Sequence, residues 1–88
     1  MTHAFYSDAA EKALAELTRS ERIAVEGVRR ALEDDPSLGR GLPDRDPRSE
    51  SYAVELLPSQ TRGRGITVVH RHSQDLDAVL ILWIIAGP

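Results

Sequence analysis

Between residues 9 and 17 the apolar positions Ala9, Ala10, Ala13, Leu14 and Leu17 recur at helical spacing, so one stripe faces a partner. Asp8 with Glu11 three positions later fits a capping box, and together these signals predict a helix over about residues 8–18. Thr18 and Glu21 repeat the capping signal at once. Ile23, Gly27, Val28, Ala31 and Leu32 then mark the inner face of a second helix, with Arg22, Glu26, Arg29, Arg30 and Glu33 mostly outside and Pro36 as its stop. Gly27 on the inner face costs about 1 kcal/mol of helix propensity relative to Ala, which close packing of the two helices would offset. The short link between the helices predicts an antiparallel hairpin.

The rest of the pattern has the period of strands. His3 to Tyr6 is β-prone, and Tyr52, Val54 and Leu56 alternate with Ala53 and Glu55. Pro58 to Gly65 is turn material, Ile66 to His72 is a second alternating run, and Ser73 to Asp77 makes the next turn. Ala78 to Ala86 is almost unbroken apolar sequence, AVLILWIIA, which calls for cover on both faces and so belongs inside a sheet or at a subunit interface. Within it Trp83 is expected as a core anchor. Residues 36–50 hold three prolines, two glycines and many charges, the composition of a loop. The expected architecture is an α+β domain spanning residues 1–88 in the order β-α-α-β-β-β. The helix hairpin packs on a mainly antiparallel four-stranded sheet, with the N-terminal strand at its edge.

Composition narrows the setting. Eighty-eight residues support one core, and 41% hydrophobic with 28% charged residues is ordinary for a folded domain. The absence of cysteine rules out disulfides and thiolate zinc sites and fits a reducing compartment. No secretory signal is read at Met1 to Tyr6, and the longest apolar run is far below the ~20 residues of a membrane helix, so a cytoplasmic protein with no membrane attachment is expected. The net charge of -3 argues against generic phosphate-backbone binding, although residues 36–72 carry six arginines, including Arg40, Arg45 and Arg48, against four acids. Either a modestly basic binding surface or a merely solvated one fits that segment. Glu33, Asp34 and Asp35 sit at the unfavourable end of a helix dipole, suited to a basic partner or simply to solvent.

Nothing in the chain matches a nucleotide-binding loop, a zinc-protease motif or a nucleophile elbow, and no cofactor is implied. The richest constellation is Arg62, Arg64, His70, Arg71 and His72. On a strand, His70 and His72 share a face with Ile66 and Val68, while Arg71 shares the other with Thr67 and Val69. Two imidazoles beside guanidinium groups hold the minimum chemistry for RNA cleavage by a 2′-hydroxyl, with general acid and base plus phosphate clamps. The same residues also fit exposed polar positions at a strand end. His70 and His72 lack a third ligand for a metal, and Tyr52 reads as core with its hydroxyl near the surface.

In order and spacing, "SDAAEKALAEL", "VRRALEDDP", "YAVEL", "GITVVHRH" and "AVLILWII" resemble the RelE/ParE superfamily of bacterial toxins across nearly the whole chain. The resemblance implies the toxin of a type II toxin–antitoxin system, active in growth regulation and bound by a cognate antitoxin protein. Its activity would be ribosome-dependent mRNA cleavage that inhibits translation, inhibition of DNA gyrase without chemistry, or partner binding alone in a relative that has lost toxicity. Thr67 and His70 stand where ribonuclease members often place arginine and tyrosine. The catalytic set this implies is His70 as acid or base with Arg71 and His72, while Arg62, Arg64, Arg45 and Arg48 would bind RNA or partner. The apolar last strand adds a homodimer as a possible assembly.

Overall fold

The computed structural model describes residues 2–43 and 49–87. Its helices start where the sequence supplies caps. Ser7 is the N-cap of α1 (Asp8–Ala15), its hydroxyl accepting from the Ala10 amide at 3.1 Å. Of the two helix-start residues that the sequence offers, Ser7 and Asp8, Ser7 is the cap, and its hydroxyl also donates to the Leu82 carbonyl, 2.8 Å away, tying the helix start to the sheet. The helix stops at Ala15 rather than residue 18, and Leu17 is buried in the connection. Thr18 caps α2 (Arg19–Asp34) in the expected reciprocal box: the Glu21 amide donates to Thr18 Oγ1 and the Thr18 amide to Glu21 Oε1 at 2.8 Å.

Five strands form one sheet, where the sequence suggested four. They are β1 (His3–Tyr6), β2 (Arg40–Leu42), β3 (Ser49–Leu56), β4 (Ile66–Ser73) and β5 (Ala78–Ala86), in the order β1-β5-β4-β3-β2. β1 runs parallel to β5, and every other pairing is antiparallel. The additional strand β2 comes from the segment read as loop. Gly39 at φ 102° turns the chain back so closely on β3 that any Cβ there would collide with the Ala53 carbonyl. A short helix, α3 (Pro58–Thr61), occupies the stretch read as a turn between β3 and β4. No described helix is long and apolar enough to cross a membrane.

The helix hairpin covers one face of the sheet. Ala10, Leu17, Val25, Val28 and Leu32 from the helical layer meet Ala4, Ile66, Val68, Val79, Ile81 and Ile84 from the strands. The buried stripe of α2 differs from the expected one. Glu21, Val25, Val28 and Leu32 share it, while Ile23 is 63% exposed and nothing lies within 4 Å of a Cβ placed on Gly27. The capping box turns Glu21 inward, and the rest of the helix follows at intervals of three or four residues.

Trp83 departs from the expected core position, and a β-bulge supplies the reason. The register passes from Val69↔Trp83 to His70↔Ile81, leaving Leu82 as an extra residue in β5. Alternation before the bulge buries Val79 and Ile81, and after it buries Ile84 and turns Trp83 and Ile85 outward. Ser7 holds this bulge from the helical side, since its amide donates to the Ile81 carbonyl and its hydroxyl to that of Leu82, both at 2.8 Å. β5 is interior to the sheet, yet only one of its faces is covered.

Candidate functional site

Glu21 and Arg64 form the most heavily bonded polar contact. Arg64 Nε and its own amide both reach Glu21 Oε2 at 3.0 Å, while Nη2 reaches Oε1 at 3.0 Å. Together with the Thr18 amide, these donors hold the buried Glu21 carboxyl well below the usual carboxylate range, the Arg64 side chain contributing most. Gly63 allows the loop to close over the pair, because a Cβ there would stand 2.8 Å from Glu21 Oε2. Arg64 is therefore bonded to a protein carboxylate while its side chain stays 42% exposed.

His70 is fully enclosed. Its ring stacks on Tyr52 at a centroid distance of 5.4 Å, and Nε2 lies 2.8 Å from the Leu38 carbonyl. A carbonyl only accepts, so Nε2 carries the proton and donates, pinning the segment after α2 against the sheet. Nδ1 is buried with no hydrogen-bond partner among the described residues. Burial pushes the His70 pKa down, the neighbouring His72 adds to that, and the Leu38 contact and Asp35 oppose it. The Tyr52 hydroxyl donates to Glu50, which raises its own pKa.

The constellation seen in the sequence is thus spread along β4. Arg62, in the left-handed conformation at φ 57°, caps α3 beside the start of α2, and Arg64 follows it. His72 and Arg71 lie toward the other end of β4, on the order of 20 Å away at the rise of a strand, and alternate onto opposite faces. His70 faces the helices as expected, but out of contact with solvent. Among the described residues, Arg62, Arg64 and Arg71 line three different hollows. Arg45 and Arg48 lie outside the described residues. Among the described residues no group of three or more His, Asp or Glu side chains is arranged to hold a metal ion.

Two surfaces stand out, the second of which the sequence suggested only through the apolar last strand. A groove of about 520 Å³ runs over the outer side of the hairpin, lined by Leu14, Ile23 and Gly27 with Arg19, Arg22, Arg30 and Glu26 around them. Glu26 is engaged within the chain: Arg29 Nε donates to it at 2.7 Å and the Tyr6 hydroxyl at 2.6 Å. Burial, then the Glu26 contact, holds the Tyr6 hydroxyl far above its usual range. The second surface is the uncovered sheet face, where Phe5, Leu80, Trp83 and Ile85 stand exposed. Registration sets Phe5 beside Leu80, Leu80 beside Arg71, Trp83 beside Val69 and Ile85 beside Thr67. The helical spacing of Ile23 and Gly27 with three arginines could have indicated the first surface. The second depends on the bulge at Leu82, which leaves no mark in the periodicity.

The strand–helix–helix beginning, the antiparallel strands that follow and the parallel return of β1 onto β5 define a RelE-like fold. Solved structures of an Escherichia coli toxin share it. The chain is similar to one in the crystal structure of the intact E. coli RelBE toxin–antitoxin complex, with a TM-score of 0.75, 14% identity, 98% of this chain covered and 96% of the other. It is also similar to the isolated E. coli RelE toxin, with a TM-score of 0.71, 13% identity, 98% of this chain covered and 84% of that one. No family model and no curated protein sequence matches the chain.

Proposed function

We propose that this chain is the toxin-type component of a type II toxin–antitoxin pair, and that it acts through protein contacts. The observation that carries the reading is a likeness to the RelE toxin fold extending over 98% of the chain, one of the matched structures being a complex with an antitoxin. The arginine-rimmed hairpin groove supports it. Its apolar floor and three exposed cations suit an acidic amphipathic segment of the cognate antitoxin, with an aliphatic side chain over Gly27 and carboxylates toward Arg19, Arg22 and Arg30.

Protein contact is favoured over mRNA cleavage by the dispersal of the candidate groups. A nuclease centre needs its acid, base and phosphate clamps around one scissile bond. Here His70 is sealed, Arg64 is bonded to Glu21, and His72 and Arg71 face opposite sides. DNA gyrase is the protein target that the RelE/ParE resemblance suggests, and the cytoplasm is where such a target is met. Association of the chain with a second copy of itself belongs to the same reading of it as a binding protein.

Induced expression with and without the product of a small adjoining gene tests the proposal. Growth arrest relieved by co-expression, with a supercoiling defect and unchanged mRNA 5′ ends, is the expected result. New mRNA ends that appear only with ribosomes present would return the ribonuclease reading. Normal growth with abundant folded protein would refute toxicity altogether.

A further inference from the structure

We infer that His70 is an acid-released latch: its ring holds residues 36–42 as a strap along the sheet edge, and a proton taken up at Nδ1 frees that strap while the other strands stay paired. This stands on how the ring is enclosed and does not depend on the toxin reading. With Nε2–H donating to the Leu38 carbonyl at 2.8 Å, the neutral ring leaves Nδ1 as a bare lone pair. That atom is buried without a hydrogen-bond partner among the described residues. A proton from solvent placed there makes an N–H with no acceptor on a ring that has become a buried cation, and burying an unpaired charge costs far more than burying a neutral group. The cost is relieved when water reaches the ring.

Of the layers that enclose the ring, the strap is the one most able to move. β4 is registered with β3 from Ser49↔Ser73 to Leu56↔Ile66, and with β5 from Ile66↔Ala86 to Ser73↔Ala78. β2 is three residues long and meets β3 from Arg40↔Ala53 to Leu42↔Ser51. The turn before it is bonded within itself, the Leu38 amide donating to the Asp35 carbonyl at 3.2 Å and the Ser37 hydroxyl to Asp35 Oδ1 at 3.1 Å, so it can swing as a unit. A hollow of about 370 Å³ lies between Leu38, Gly39 and Arg40 on one side and Ala53, Val54 and Glu55 on the other. The His70 bond to Leu38 is what ties this segment to the interior of the sheet.

The charges around the ring set the direction. His72, two residues along β4, disfavours a second cation, and Asp35 at the end of α2 favours it. Glu33 on the last turn of α2 is turned to Arg29 and the Ala4 amide, and on β3 the Tyr52 hydroxyl engages Glu50. β5 sets Ile81 opposite and has no titratable residue, and Arg40 on the strap meets Glu55 at 3.6 Å. Burial outweighs the favourable groups, so the closed state binds the proton less readily than an opened one whose ring titrates near the ordinary 6.5. Opening is therefore favoured as pH falls below 6.5. It frees the outer backbone groups of Ser51, Tyr52 and Ala53, turning β3 into an edge able to accept an extended strand.

Native-state amide hydrogen exchange of the whole chain, followed by NMR in low urea from pH 7 to pH 5, tests the latch. Amides bonded between β2 and β3 should open with little response to urea, and their opening constant should rise about fivefold or more over that range. Val68 and Val79 should exchange more slowly at every pH and with the urea dependence of global unfolding. His70→Phe keeps an aromatic ring without a titratable nitrogen and should remove the pH response of the strap, whereas His72→Asn should retain it. In the unaltered chain the strap response should share its midpoint with the His70 ring resonances, so a misfolded variant leaves the test intact. Strap amides that open together with Val68 overturn the inference, as does strap protection that stays constant while His70 titrates. A pH response that survives in His70→Phe, or vanishes in His72→Asn, overturns it as well.

Discussion

Glu21 and Arg64 stand 43 residues apart in the chain and meet through two parallel hydrogen bonds of 3.0 Å. The contact joins the first turn of α2 to the approach of β4. It fastens the helical layer to the sheet with a charge-assisted pair whose planar fork lysine would not reproduce.

Glu21→Gln removes the negative partner of that pair and should lower the thermal midpoint by more than Glu11→Gln, which changes an exposed acid in α1. The folded pKa of Glu21 lies below its unfolded value of about 4.5. Its contribution is therefore complete above pH 4.5 and is lost as pH falls through the folded value. Thermal melts from pH 7 downward should show the two proteins converging only in acid. Equal separation at every pH would count against the pairing.

His70 gives a second window with the same sign. Enclosure lowers its folded pKa below the ordinary 6.5, so the unfolded chain binds the proton first. Stability is full above pH 6.5 and declines as pH drops below it. The groups that bear on the ring are His72, Asp35 and the Tyr52–Glu50 pair. Urea unfolding should show a fall in stability between neutral and mildly acidic pH that is reduced in His70→Leu, and the His70 ring resonances should titrate below the ordinary 6.5.

Leu32 is fully buried where α2 meets the sheet. Leu32→Ala should cost about 2–5 kcal/mol, the usual effect of emptying such a site, with an unchanged denaturant slope. A loss below 1 kcal/mol would mean that the helix does not pack as described.

Gly27 separates folding from binding. It is helical, faces water and has nothing near its Cβ position, so Gly27→Ala should stabilise the isolated chain by up to about 1 kcal/mol. The same methyl group occupies the floor of the arginine-rimmed groove. Isothermal titration with the cognate antitoxin should therefore show weaker binding by the more stable protein.

Much of this architecture was legible because caps and alternation are local. Thr18 with Glu21 set the start of α2, Ile66 to His72 alternated as β4 does, and the apolar run from Ala78 marked an interior strand. What escaped depends on contacts between distant residues. Trp83 faces outward because Leu82 is an extra residue held by Ser7, and no period-two reading contains that shift. β2 exists because Gly39 lets the chain fold back onto Ala53. The site was less visible than the fold: proximity along β4 suggested one cluster, whereas the strand disperses its members and Glu21 captures Arg64 from another layer.

The Arg29 and Glu33 clasp on Ala4 also bears on behaviour at high concentration. A bare outer rim on β1 would offer a template to which misfolded neighbours could add rung after rung in a growing fibril. With the Ala4 amide and carbonyl taken by a carboxylate and a guanidinium from the chain's own helix, that position of the rim is withdrawn from templating. Replacing both with alanine would reopen the Ala4 position to strand addition.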